Sequence, residues 1–297
     1  MSNEVWRGTV RSWECDEMGH QSARFYFTQA LEGLAEVAAW LGVANGFAPA
    51  SDCRVTISNQ HSRFIKEAFD AKSLYMRAWI IARGDSDAEV VQILYHAISD
   101  EQAAVFYARI HCVDSGGRPI PWPNPIPPQP GEKTVFARGL VPGGSVLDST
   151  AEATRPGVID SGRGVVLPGE CDAFGRMRTD AIVGRISDAT RLVMQLCEES
   201  ARLAGVETPG SAALECRLAY HGFPELGTRI HLRTGILAVH GKTRRMMSWL
   251  LDSATGELQA TLESIEIAFD LVSRKSIPWS APVRAATERF LIVGAPI

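Results

Sequence analysis

The sequence predicts an α+β protein made of two copies of one unit, each a long central helix wrapped by an antiparallel sheet, the pair packed as a pseudo-dimer. Three observations predict it. First, Glu14-Cys15-Asp16-Glu17-Met18-Gly19 recurs as Glu170-Cys171-Asp172-Ala173-Phe174-Gly175, an offset of 156 residues that also superposes Arg77 on Arg233, Asp114 on Asp270 and Arg118 on Arg274. One residue further out of step, Ile120-Pro121-Trp122 meets Ile277-Pro278-Trp279. Second, each copy carries one stretch of three- and four-residue apolar spacing followed by several long apolar runs. Third, the chain between the copies is dense in proline over 119–130 and rich in Gly, Ser and Thr over 139–164. Such chain holds neither a helix nor a central strand. The expected organisation is a first unit at 1–118, a linker at 119–160, extended first and flexible later, and a second unit at 161–297.

The elements follow in order. Residues 5–14 alternate loosely and read as an imperfect strand. Phe27, Ala30, Leu31, Leu34, Val37, Ala38 and Leu41 make one helical stripe of about five turns, with Ser22 as its cap and Gly42 as its stop. Buried at about 1.5–3 kcal/mol per side chain, that stripe would form the core of its unit. In the second copy Ile182, Ile186, Ala189, Val193, Leu196 and Ala201 repeat it, with Thr179 or Asp180 as the cap and Gly205 past the end. Strands are expected at 73–82, 90–99 and 103–113, then at 228–239, 245–252 and 258–271. Gly84-Asp85, Asp100-Glu101, Gly241-Lys242 and Thr255-Gly256 supply the turns.

Composition sets limits on function. The 297 residues are 45% hydrophobic and 22% charged, which excludes disorder and fibres. A net charge of -4 gives no global drive toward nucleic acid or an anionic membrane. Apolar runs fall short of the ~20 residues that span a bilayer, and the first residues lack a leader pattern, so the expected address is the cytoplasm. Six cysteines without a C-x-x-C pair, unclustered with the seven histidines, argue against zinc and redox chemistry. They are expected to be reduced and mostly buried, Cys15 and Cys171 included. Neither metal nor cofactor is expected.

The loop before the first helix contains Asp16, Gly19, His20 and Tyr26. In this spacing it resembles the hotdog-fold thioesterases, whose signature is an Asp, a Gly three residues on, often a His next, and a Tyr early in the helix. Two such units in one chain look like the tandem acyl-CoA and acyl-carrier-protein thioesterases of the 4-hydroxybenzoyl-CoA thioesterase type. The resemblance implies hydrolysis of an acyl-CoA or acyl-carrier-protein thioester. Asp16 is then nucleophile or general base, and backbone N–H groups at the helix start polarise the thioester oxygen. Developing negative charge is best met by fixed donors at a helix amino terminus, and His20 can orient water or move a proton.

The family's asparagines are replaced here by Met18, Ser22 and Ala23. In the second copy Asp172 and Gly175 persist, while Arg176 and Ile182 stand for His20 and Tyr26. The catalytic candidates are therefore Asp16, His20 and Asp172, with the first copy favoured. Substrate-binding candidates are Gly19, Ser22, Arg24, Tyr26 and Arg176, together with the basic hairpin Lys242, Arg244 and Arg245 as a phosphate site for coenzyme A. Two other readings stand beside hydrolysis: a non-catalytic acyl-thioester scaffold and an enoyl-thioester hydratase or dehydratase. Exposed sheet edges would let such pseudo-dimers pair again into homo-oligomers.

Overall fold

The computed structural model describes residues 3–48, 51–124, 126–128, 139–140, 145–288 and 290–295. The chain forms β1 (Glu4–Thr9), a 3-10 turn at Ser12–Glu14, α1 (Ala23–Trp40), β2 (Arg54–Phe64), β3 (Ser73–Arg83), β4 (Asp87–His96) and β5 (Gln102–Val113). The order then repeats as β6 (Ile159–Val165), a 3-10 turn at Pro168–Glu170, α2 (Thr179–Leu203), β7 (Gly210–Tyr220), β8 (Arg229–His240), β9 (Thr243–Asp252) and β10 (Leu258–Phe269), closed by α3 (Ala281–Glu288). The twins of the first 3-10 turn, α1, β2, β3, β4 and β5 all begin 156 residues later. Among the described residues no helix is long and apolar enough to cross a membrane.

All ten strands form one antiparallel sheet in the order β1-β3-β4-β5-β2-β7-β10-β9-β8-β6. The units join through β2 and β7, where Gln60 faces Leu218, His61 faces Arg217 and Ser62 faces Cys216. His61 and Arg217 are themselves twins, so the register is symmetric about them. Buried polar groups fasten this seam. His61 Nε2 lies 2.7 Å from Glu215 Oε1, and the Tyr220 hydroxyl donates to Gln60 Oε1 at 2.7 Å.

Each helix lays its apolar stripe on its own half of the sheet. Phe27, Leu34, Val37 and Ala38 of α1 pack with Ile80, Val90 and Ile110, and Ile182, Ile186 and Ala189 of α2 with Leu218, Leu232 and Leu250, in one continuous cluster. The helices also meet each other. Thr28 donates to Asp180 Oδ2 at 3.1 Å, and Gly184 lets the Arg24 side chain lie so close that a Cβ there would sit 2.9 Å from its Cδ. Arg24 and Asp180 are twins of opposite charge, their Nε and Oδ2 atoms 3.9 Å apart. Duplication within one chain permits this contact; a dimer of identical chains would set like charges together.

Several expectations change. The first strand ends at Thr9 and a 3-10 turn takes Ser12–Glu14. Ser22 does occupy the N-cap of α1, but its side chain makes no capping bond. The N-cap of α2 is Arg178, not Thr179 or Asp180. Both of those lie inside the first turn and are buried, Asp180 being held by the Arg178 guanidinium. The later linker is not loose over its described residues. Leu140, Leu147 and Ala153 are buried, and the Trp249 indole donates to the Leu147 carbonyl at 2.9 Å. β6 starts at Ile159, two residues before the expected second unit. Much of the expected proline-rich and glycine-rich linker, residues 125, 129–138 and 141–144, lies outside the described residues. β2, β7 and α3 were not expected.

Candidate active site

The loop between the 3-10 turn and α1 is closed by its own backbone. The Asp16 N–H donates to the His20 carbonyl at 2.8 Å and the Ser22 N–H to the Glu14 carbonyl at 2.8 Å. Asp16 Oδ1 accepts the N–H groups of Met18 at 2.9 Å and His20 at 3.0 Å. Gly19 turns the chain at φ +77°, where a side chain would be strained. The twin loop repeats the arrangement: Asp172 Oδ1 accepts from Phe174 at 2.8 Å and Arg176 at 3.0 Å, and Gly175 has φ +76°. One oxygen of each Asp thus shapes a turn. The other oxygen of Asp16 accepts no hydrogen bond among the described residues.

Beside Asp16 opens a cleft of about 560 Å³. The first unit contributes Asp16, Met18, His20, Gln21, Ser22 and Tyr26 to it; the second contributes a wall of Ser211–Leu214 with Ile267, Phe269 and Arg274. Four of the expected residues, Asp16, His20, Ser22 and Tyr26, therefore share one cavity. α1 begins at its edge without a side-chain cap, and Ala23 and Arg24 find no backbone acceptor for their N–H groups among the described residues. Such uncapped amides suit a developing negative charge. The Ala68 N–H donates to the Tyr26 hydroxyl at 3.1 Å, and burial pushes the Tyr26 hydroxyl to hold its proton well above the usual range. Tyr26 is thus a donor, not a base. Gln21 lines the cleft, its Oε1 buried and without a partner among the described residues.

His20 is buried, edge-on to Phe69 with ring centroids 4.8 Å apart. Its Nε2 lies 2.5 Å from Arg274 Nη2 and 3.5 Å from Glu67 Oε2. Arg274, Glu67, Gln21 and the second-unit wall are functional candidates that sequence reasoning missed. The repeat did mark Arg274 as the twin of Arg118, but its contact with His20 spans 254 positions and leaves no local pattern.

Other expected residues stand elsewhere. Arg24 serves the contact between the helices. Asp172 and Arg176 belong to the twin loop, where Arg54 stacks on Phe174 at 4.1 Å. The twins of that pair are Gly210 and Met18, so this side-chain contact has no counterpart at the first loop. The basic hairpin does not present three free cations. Arg244 is buried on Glu266 and lies over Trp279, Arg245 is paired with Glu263, and Lys242 Nζ donates to the Ser276 carbonyl at 2.9 Å and hydroxyl at 3.0 Å. The cysteines are free, with Cys112, Cys197 and Cys216 buried and the others partly so. Burial first, then nearby carboxylates, pushes the Cys15 and Cys171 thiols up and away from thiolate chemistry. Among the described residues no group of His, Cys, Asp and Glu could hold a metal ion.

A duplicated helix-in-sheet unit with a cleft at the helix start that holds Asp16 and His20 defines a class, the two-repeat hotdog proteins. Within it, a model of the thioesterase-like superfamily matches residues 10–130 and 166–287, and the chain belongs to that superfamily. Solved structures share the fold. A putative oleoyl thioesterase from Lactobacillus plantarum superposes with a TM-score of 0.66 at 10% identity, over 90% of this chain and 97% of that one. A 12:0-ACP thioesterase from Umbellularia californica gives 0.62 at 10% identity, over 89% and 96%. An acyl-ACP thioesterase from Bacteroides thetaiotaomicron gives 0.60 at 9% identity, over 88% and 96%. No curated protein sequence matches the chain.

Proposed function

We propose that this chain hydrolyses an acyl thioester, acyl-CoA before acyl carrier protein, in the cleft at Asp16. In this reading residues 1–118 and 161–297 act as a pseudo-dimer joined by 119–160, with one working site. The observation that carries it is the cleft itself, lined together by Asp16, the buried His20 and Ala23, the first residue of a helix without a side-chain cap. The Asp16 carboxylate attacks the thioester carbonyl or takes the proton of an attacking water. Charge gathering on the thioester oxygen is met by the amides of Ala23 and Arg24, and His20 moves the proton. The C–S bond then breaks and the thiolate leaves, taking up the proton to depart as thiol; on the attack route water hydrolyses the acyl–Asp16 anhydride, and on either route the free acid is released. A cleft without a cluster of free cations gives coenzyme A's phosphates no evident seat on the hairpin, so binding of the acyl part and the pantetheine arm carries affinity.

The test is thiol release from a panel of acyl-CoAs with Asp16→Asn. Asparagine keeps an oxygen for the Met18 and His20 amides and removes only the charge, so the fold stays and turnover falls by about 100-fold or more. Undiminished thiol release would end the proposal. A second reading, binding without turnover, has one observation in its favour: Asp16 and Asp172 make the same two backbone hydrogen bonds, as purely structural residues would. Acyl-CoA bound with no thiol released from the wild-type chain would select it.

A further inference from the structure

Arg274 belongs to the second unit, yet its guanidinium lies in the first unit's cleft. Its Nη2 donates to Glu67 Oε1 at 2.9 Å and contacts His20 Nε2 at 2.5 Å, and its plane rests over the Phe269 ring at 4.7 Å. A guanidinium carries donors only, so in the contact with His20 the imidazole nitrogen must accept. That leaves the ring proton on Nδ1 and commits the Nε2 lone pair to the guanidinium. Glu67 alone would ask the opposite of the ring, because a carboxylate accepts only and Nε2 would have to bring a proton to it.

The backbone shows how the arginine is delivered. The turn after β5 closes with the Asp114 N–H on the Arg118 carbonyl, whereas the turn after β10 closes with the Asp270 N–H on the Lys275 carbonyl, one residue later. This is the single added residue that shifts the repeat from one offset to the next. The longer turn holds Arg274 in the left-handed region at φ 57°, an unusual conformation for a residue with a side chain, and sends it across to the other unit. In the first unit the left-handed residue of the turn is Gly117, and Arg118 stays with its own turn, 84% exposed and 3.6 Å from Asp114. At the twin loop an arginine, Arg176, stands where the first loop has His20.

We propose that Arg274 is the positioning residue that holds the His20 ring in place as the Nδ1–H tautomer, so that a working site is assembled from both units and exists once per chain. The role in hydrolysis rests on the thioesterase reading above; the state of His20 does not.

Two measurements on the full chain test it. Nitrogen–proton correlation NMR of the histidine rings, with His20 assigned by its loss in His20→Gln, is expected to show the Nδ1–H tautomer in the wild type. In Arg274→Ala, where only Glu67 faces Nε2, the Nε2–H tautomer is expected, and Arg274→Lys should restore Nδ1–H. In thiol release, Arg274→Ala is expected to lower kcat by about tenfold or more with KM within about twofold, as loss of an oriented acid–base group does. Arg274→Lys should recover most of the loss, and Arg118→Ala should leave kcat unchanged. An Nε2–H or doubly protonated His20 in the wild type, a tautomer indifferent to Arg274, or an unchanged kcat in Arg274→Ala would overturn the proposal. If the wild type releases no thiol from any acyl-CoA, the thioesterase reading fails, while the NMR result still decides whether Arg274 sets the state of His20.

Discussion

Asp16 and Asp172 separate the two tasks a carboxylate can perform in this loop. Both hold two backbone amides through one oxygen, but only Asp16 opens on a cleft with a histidine and uncapped helix amides. Asp172→Asn is accordingly expected to leave thiol release unchanged and to shift the melting temperature little, since the amide oxygen replaces the carboxylate oxygen in the turn. Gly175→Ala tests the turn itself. Forced to φ near +76°, the new side chain is expected to cost about 1–2 kcal/mol in denaturant unfolding without touching kcat. The Asp-x-x-Gly-His loop was readable because its chemistry is local, five residues fixed by their own hydrogen bonds. Arg274, Glu67 and the second-unit wall were not, because only the folded sheet brings them to His20.

The helices and outer strands were readable from apolar spacing, since each buries a regular stripe against one half of the sheet. β2 and β7 were not, and the reason is their position. They form the seam between units, and their middle residues Gln60, His61, Ser62, Glu215 and Arg217 read as surface residues in sequence. All are buried, with His61 and Glu215 each 2% exposed and partnered across the seam. Polar burial of this kind is invisible until the partner strand is known. The first turn of α2 shows the same principle. Asp180 is buried and receives Arg178 and Thr28, and Arg178 in turn donates to the Gly169 and Cys171 carbonyls. Asp180→Ala strands that guanidinium and is expected to destabilise the chain by about 3 kcal/mol in urea unfolding, whereas Asp180→Asn loses less.

Across the whole chain, duplication inside one polypeptide lets twin positions diverge. Arg24 meets Asp180 between the helices, Gly210 stands where its twin Arg54 reaches Phe174, and His20 is matched by Arg176. Several carboxylates tie the outer turns to the frame. The Arg185 guanidinium holds Glu170 below its usual 4.5, and Arg163, then His231, hold Asp160 below its usual 3.8. A depressed carboxylate stabilises the fold fully above its unfolded value and ceases to as pH falls through the folded one. The melting temperature should therefore stay level from neutrality to about pH 5 and fall below about pH 4, and Arg185→Met should shrink that acid step.

The proposed chemistry requires one composite cleft per chain, built on the Asp16 loop. A crystal structure with an unhydrolysable acyl-CoA analogue tests it most directly. One molecule per chain is expected, its carbonyl between Asp16 and the amides that open α1, with the acyl group against the Ser211–Leu214 wall. Analogue bound at the Asp172 loop, at both loops equally, or away from either would contradict it.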